Sequence, residues 1–378
     1  MHDVTRHIKK EVERELWARA GGRCQFKGHN QLLYKSAITQ EAVNLAEKAH
    51  IYSFSENGPR GWGPFALNRQ GLNDIRNLLL VCNGCHTVID QDKKGDRYSA
   101  TLLLKWKREH ENRIEVVTGI DPHNRSHVVL YGANIGNDNS PLNYDQCVTA
   151  MFPLQYPAEE RPQILSMSSV LRDSTREYWQ AEEANLHRIF SQKIVPLIES
   201  DTCKHFSVFA LAPQPLLIFL GTLFTDKYQV DTYQLHREPE SGWNWQERPN
   251  DFNYDIIRPD SFQNSPVLIL SLSDHINLDR IKSVLGENVS VWMVTIQSPH
   301  NDFLKSKSQL SAFREIVRQL MVDIKEKHGN TTPLSIFPAM PVSCCIELGR
   351  VRMPKAEMPW IIFDQNNTNG FIKTLEIK

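Results

Sequence analysis

The chain has 378 residues, 40% of them hydrophobic and 23% charged, with a formal net charge of -1. That length exceeds one typical core and predicts two domains, and the composition is that of an ordinary globular protein. No apolar run reaches the eighteen residues of a membrane span, and the start, MHDVTRHIKKEVERELW, lacks the apolar stretch of a secretory signal, which places the chain in the cytosol. The seven cysteines are odd in number, which argues against a disulfide framework and for a reducing compartment. Residues 1–120 carry 19 Lys and Arg against 14 Asp and Glu, and the remainder 24 against 30. A basic first part suits a phosphate backbone, and equally it is scatter in surface charge.

In chain order, Ile8, Val12, Leu16 and Ala20 recur every four residues and predict a helix that Gly21-Gly22 stops. Residues 49–52, AHIY, read as a short strand. A long polar, glycine-rich loop follows, then NLLLV as a second strand running into CNGCHTVID, a short helix. Ser99 caps a further helix with Leu102, Leu103, Trp106 and Ile114 on one side, ended by Gly119. Residues 120–150 are rich in Asn, Asp, Gly and Pro and read as a linker, with one short strand at HVVLYG. Beyond it come a helix over 173–195, the strand HFSVFALA and a helix from PQPLLIFLG. YQVDTYQLH, PVLILSLSD and VSVWMVTIQ read as strands, SQLSAFREIVRQLMVDIKEKHG as a long helix, and PWIIFDQN and FIKTLEI as closing strands. Apolar strands alternating with helices predict an α/β sheet covered on both faces. No glycine-rich nucleotide fingerprint or P-loop follows a strand. The domains expected are 1–119, a linker 120–150, and 151–378.

Cys24 and His29 in CQFKGH, with Cys82 and Cys85 in CNGC, form two ligand pairs separated by a strand, a loop and a strand. That set suits a closed tetrahedral Zn²⁺ site, and a small unit with so long a loop needs such a staple. The CxxC pair is the firmer half, since histidines are common in loops and Cys24 also reads as a small buried hydrophobe.

His50, Asn77 and His86 follow in order around the knuckle. The blocks GGRCQF, AEKAHI, IRNLLLVCNGCHTVID and YSATLLLKWKREHENRI resemble the HNH (ββα-metal) endonuclease family over roughly residues 15–115. The resemblance implies an α+β HNH domain with a zinc knuckle, a phosphodiester hydrolase with His50 as general base, Asn77 orienting it and His86 binding a catalytic Mg²⁺. Neutral imidazole can activate water near pH 7, and a divalent cation can face the phosphate oxygens. Asp90, one helical turn past His86, is a second candidate ligand. Many family members carry a metal ligand just before the catalytic His. Ala49 stands there in this chain, and Glu47, two residues earlier on the same strand face, is the candidate to supply the carboxylate. The basic stretch KWKREHENR lies along DNA phosphates or is a solvated face.

The stretch PQPLLIFLGTLFTDKYQVDTYQLHREPESGWNWQE and the closing CCIELGRVRMPKAEMPWIIFDQN look like the SAVED domain over roughly 150–378. This implies an α/β domain of two CARF/Rossmann-like halves that binds a cyclic oligonucleotide. The order HNH then SAVED looks like the effector nucleases of bacterial cyclic-oligonucleotide-based antiphage signalling (CBASS). The implied protein is cytoplasmic and bacterial, bound to no membrane. A partner nucleotidyltransferase makes a cyclic di- or trinucleotide, the protomers associate, and double-stranded DNA is degraded. Tyr156, Trp243 and Trp245 are candidate stacking groups, and Arg237, Lys305 and Arg350 candidate phosphate or base contacts. SCCIELG reads as a core helix, because adjacent cysteines chelate one ion poorly. Two other readings remain: a restriction-type HNH nuclease that recognises modified DNA, and a non-catalytic zinc-knuckle DNA-binding module.

Overall fold

A computed structural model describes residues 6–134, 142–166, 173, 175–200, 203–249, 251–354, 358–366 and 370–378. The chain divides into two units, Met1–Ile120 and Asp121–Lys378. In the first, helix α1 (Lys10–Ala20) buries Leu16 and Ala20, and Gly21 closes it at a φ of 61°, the left-handed conformation that glycine adopts without a Cβ penalty. Strands β1 (Ala46–His50) and β2 (Leu78–Cys82) pair antiparallel, with His50 opposite Leu78 and Ala46 opposite Cys82. The expected strand at 49–52 therefore begins three residues earlier and stops at His50. All five residues of β2 are buried, and α2 (Asn83–Gln91) follows without a break. Helix α3 (Ala100–Thr118) is capped by Ser99, whose hydroxyl accepts from Leu102 N at 3.3 Å. Leu16, Leu78, Leu80, Ile89 and Leu103 share one small core. The long polar loop is organised by three short 3-10 turns, Gly63–Phe65, Arg69–Asn73 and Ile75–Asn77.

The second unit begins with β3 (Arg125–Gly132), α4 (Tyr144–Met151), β4 (Tyr156–Pro157), β5 (Gln163–Ile164), α5 (Arg176–Lys193) and α6 (Val195–Glu199). Then come β6 (His205–Leu211), α7 (Gln214–Phe224), β7 (Gln229–Thr232), β8 (Asp255–Ile257), β9 (Ser265–Ser271) and α8 (Leu278–Leu285). It closes with β10 (Val289–Thr295), α9 (Lys307–His328), β11 (Leu334–Ala339), α10 (Val342–Val351), β12 (Trp360–Asn366) and β13 (Gly370–Ile377). Residues 120–150 do not form a linker throughout. The strand β3 lies inside a five-stranded sheet of order β4-β3-β6-β7, with β5 also on β3, and α4 packs Cys147 and Met151 against that sheet. Residues 135–141 of that stretch lie outside the described residues. The second sheet is six-stranded, β13-β12-β11-β9-β10-β8, parallel in the middle and antiparallel at both edges.

Alternation sorts the side chains. Phe206, Val208 and Ala210 of β6 join Leu268, Leu270, Ile336, Trp360 and Ile362 in one core, together with α5, α7, α9 and α10. The intervening residues face outward, Phe209 with α4, and Val267, Ile269, Phe337 and Phe363 with α8. So helices lie between two sheets, and each sheet is covered again outside. At the centre α7 crosses α10 at Gly221 and Gly349. A Cβ at Gly221 would overlap Ile346 O, and one at Gly349 would overlap Ile218 O. SCCIELG is α10, a core helix, as its sequence predicts. No helix among the described residues is long and apolar enough to cross a membrane.

The crossing leaves no room for a methyl group. Gly349→Ala is expected to cost about 3 kcal/mol or more, read as a shift of the urea midpoint, whereas Val322→Ala on the exposed side of α9 moves it little.

Candidate active site and metal knuckle

The left-handed turn at Gly21-Gly22 reverses the chain after α1 and delivers Cys24, whose N–H donates to Gln31 O. The neighbouring Gln25 stitches this turn to β2 from both ends: its N–H donates to Leu80 O, and its side-chain oxygen accepts from Leu80 N at 2.7 Å. Cys82 ends β2 and caps α2, accepting from Cys85 N at 3.4 Å. The result brings Cys24, His29, Cys82 and Cys85 together, with all four ligand atoms within 4.8 Å of one another. His29 Nδ1 lies 3.3 Å from Cys85 Sγ and 3.5 Å from Cys82 Sγ. A tetrahedral zinc with ordinary bond lengths requires an N···S separation of about 3.6 Å, so these residues fit a zinc ion. Burial, and then the other thiols, raise the Cys85 thiol above its ordinary range, and burial raises Cys24 likewise. With the Cys24 and Cys85 thiols raised, binding a metal must expel protons.

His50 ends β1 next to the loop. Burial lowers its pKa below the ordinary 6.5, opposed by the hydrogen bond that Asn73 accepts from the ring, with Arg6 and His86 lowering it further and Asp90 raising it. The ring is therefore neutral at pH 7, the form a general base needs. Asn77 does not touch the ring. It is buried, and its side chain is committed to backbone, accepting from Tyr52 N at 2.8 Å and donating to Tyr52 O at 3.1 Å and Leu72 O at 2.9 Å. It ties the exit of β1 to the 3-10 turn. The side chain at His50 is instead Asn73, with Oδ1 3.0 Å from Nε2. Sequence reasoning missed Asn73, although it stands four residues from Asn77 in GLNDIRN. It also missed Arg60, whose half-buried guanidinium donates to the carbonyl oxygens of Ile51, His50 and Tyr98.

On α2, His86 Nε2 and Asp90 Oδ2 are 3.6 Å apart, both partly exposed. They offer one nitrogen and one oxygen donor from adjacent turns. Glu47 does not join them. Among the described residues the only group of three or more His, Cys, Asp or Glu donors within metal-binding reach is the knuckle. Glu47 shares its strand face with buried Ala49, whereas His50 points the other way with Lys48.

In the second unit the six candidate contacts separate. Arg350 is buried, chelates Glu347 at 2.8 and 3.0 Å, and donates to three backbone carbonyls, so it braces the core and does not face a ligand. Trp243 is buried edge-on against Phe209 at 5.3 Å, a core residue and not a stacking platform. Tyr156, with its hydroxyl on Pro122 O, lies at the N-terminal ends of the five-stranded sheet. Arg237, Trp245 and Lys305 lie past the C-terminal end of β7. Lys305 reaches Glu238 O at 2.6 Å, and Asp302 accepts from Arg237 N at 3.4 Å. Sequence reasoning missed His236, buried edge-on to Trp245 at 5.8 Å, with both ring nitrogens unpartnered. Ser126, His205 and Asp231 also meet, but Ser126 is wholly buried and bonded to Ser207, so it is no nucleophile.

With this geometry in hand, the family of SMODS-associated and fused to various effectors sensor domains (SAVED) matches residues 186–377. The chain belongs to the SAVED family. The HNH endonuclease family matches residues 24–93, which spans the knuckle, His50 and His86. The chain thus joins a region that matches the HNH endonuclease family to a SAVED domain. No curated protein matches it. Among solved structures it is similar to the Acinetobacter baumannii Cap4 SAVED/CARF-domain containing receptor with the cyclic trinucleotide 2'3'3'-cAAA, at 10% identity and a TM-score of 0.43 over 82% of this chain and 66% of that one. The same receptor with 3'3'3'-cAAA gives 11% and 0.43 over the same shares. The Moraxella osloensis Cap4 receptor gives 9% and 0.38 over 77% and 63%. The chain spans just under two thirds of these receptors' length.

Two outcomes follow. Chelation of the knuckle metal is expected to lower the first unit's thermal midpoint by more than about 10 °C. Because the thiols must lose protons to bind it, less chelator suffices as pH falls. With His50 as general base, the acid limb of a pH–rate profile of cleavage is expected below pH 6.5, since a lowered His50 pKa keeps the ring neutral further into acid.

Proposed function

We propose that the chain is a messenger-gated, metal-dependent DNA endonuclease of CBASS type. The observation that carries this reading is one chain joining a half-buried, neutral His50, which feels the charges of His86 and Asp90, to a domain of the SAVED sensor family. In the proposed reaction a water oxygen attacks the phosphorus of double-stranded DNA. His50 takes the water's proton, and the bond from phosphorus to the leaving oxygen breaks. A divalent cation, Mg²⁺, held by His86 and Asp90 would supply positive charge at the phosphate oxygens. Zn²⁺ held by Cys24, His29, Cys82 and Cys85 would fix the start of α2. Asn77 holds the loop around His50.

The SAVED domain is the proposed receptor of a cyclic di- or trinucleotide made by a partner nucleotidyltransferase. The two CARF/Rossmann-like halves are read as β3–β7 and β9–β13. This is supported by strand–helix–strand units in each, β6-α7-β7 and β11-α10-β12, whose helices share the spacing Pro-x7-Gly at Pro213–Gly221 and Pro341–Gly349. Ligands of open α/β sheets bind outside the carboxyl ends of the strands, which favours the surroundings of His236, Trp245, Arg237 and Lys305 over Tyr156. The messenger must bind the associated, active protomers more tightly than the resting ones. A shift from 1% to 99% active takes about a 10⁴-fold preference.

The test is plasmid degradation by the purified chain with Mg²⁺, with and without a panel of cyclic di- and trinucleotides, beside His50→Ala. Cleavage with one messenger, lost in the mutant by at least about 100-fold, is the expected result. Cleavage without any messenger would sink the gated reading in favour of a restriction-type nuclease.

A further inference from the structure

We infer that Asn73 is a positioning residue that holds His50 as its Nε2–H tautomer, so that Nδ1 is the atom that takes the proton, and that the backbone carbonyl of His7 locks Asn73 in that orientation. The inference rests on the reading of His50 as general base and names the atom that does the work.

Each step follows from the donors and acceptors present. Asn73 lies against His50 Nε2 at 3.0 Å and His7 O at 3.3 Å. A backbone carbonyl can only accept, so Asn73 must turn its NH₂ toward His7. Its oxygen then faces His50. An amide oxygen can only accept, so Nε2 must carry the ring proton. Neutral imidazole has one N–H, which leaves the lone pair on Nδ1. The His7 carbonyl is itself held in place, because the next residue, Ile8, is buried in the first unit's core. From the far side, the carbonyl of His50 is gripped by Arg60. The ring meets Phe54 edge-on at 5.9 Å, and the Arg6 guanidinium lies over Phe54 at 5.6 Å. The charged and titratable groups facing the imidazole are Arg6 from the arm and His86 and Asp90 from α2. None of them is bonded to Nε2, so the tautomer is set by Asn73. A segment before α1 thereby becomes part of the proton-transfer apparatus, through backbone alone.

The tautomer is directly observable by two-bond proton–nitrogen NMR of the full chain labelled with ¹⁵N-histidine, without metal, messenger or DNA. The expected spectrum assigns His50 a protonated Nε2 and a bare Nδ1. Asn73→Leu is expected to mix the two tautomers, and Asn73→Asp, which keeps an acceptor, to retain Nε2–H. In cleavage assays, Asn73→Leu is expected to lower kcat about 10–100-fold at unchanged KM, with the thermal midpoint within a few degrees of wild type. A wild-type His50 protonated at Nδ1, or an Asn73→Leu protein with unchanged tautomer and kcat, would overturn the inference. The expected tautomer in a chain that cleaves no DNA with any messenger would support this assignment and overturn the nuclease reading.

Discussion

Cys82 carries three duties at once, and the nuclease unit is built around that coincidence. It is the last residue of β2, the N-cap of α2, and a member of the four-residue knuckle. Whatever fixes its sulfur fixes where α2 starts and which way that helix turns. His86 and Asp90 are one and two turns along the same helix, so their placement is inherited from Cys82 and Cys85. His50 is placed from the other strand of the same hairpin, since Ala46 at the far end of β1 pairs with Cys82. A metal in the knuckle would therefore set the distance between His50 and the His86–Asp90 pair. The hydrophobic effect alone is weak here, because the unit's core is small and its long loop has no regular structure beyond short turns.

The sensor unit solves the opposite problem. It has ample apolar surface and must fix how two sheets face each other. The crossing of α7 and α10 does this with glycines, letting backbone meet backbone where side chains would hold the helices apart. Polar bonds then set the register across the crossing. Gln214 accepts from Met340 N at 3.1 Å, and Gln234 accepts from Ser343 at 3.4 Å from N and 3.0 Å from Oγ. Thr232 donates to Glu347 at 3.0 Å, and Arg350 closes the cluster. Arg350 looked in sequence like a phosphate contact. Its buried charge instead balances Glu347, the usual condition for keeping two ions away from water.

What could be read from sequence followed the physics of local patterns. Helices α1, α3 and α9 were legible because their apolar period and caps agree. The knuckle was legible because two thiols at CxxC spacing can chelate one ion, and a buried strand or a helix has little use for that pattern. The assignment of His50 and His86 came from family resemblance more than from any local rule. Strand β11 was not legible, because Pro338 argues against a central strand. It is tolerated because pairing to β12 ends at Ile336, two residues earlier. Strand β3 was legible as HVVLYG, but its place inside a sheet was not, because the residues around it are turn-forming and only the pairing with β6 shows it. Asn77 was named from the family pattern, and it is Asn73 that meets the His50 ring. Both are asparagines of one short segment, and which one meets His50 depends on how a 3-10 turn folds back on the end of β1.

The shared core of α7 and α10 has a consequence for how this chain is made. Gly221 leaves the ribosome well before Gly349, by on the order of ten seconds at ordinary elongation rates. Throughout that interval the face of α7 that meets α10 lacks its native partner. The nuclease unit comes earlier still, and each of its strands, helices and ligands lies within residues 1–120. It can be complete while its sensor is unfinished. A sensor that worked by restraining an active nuclease would arrive too late on every newly made chain. The gated reading therefore favours a nuclease silent by construction, to which the finished sensor brings activation and not release.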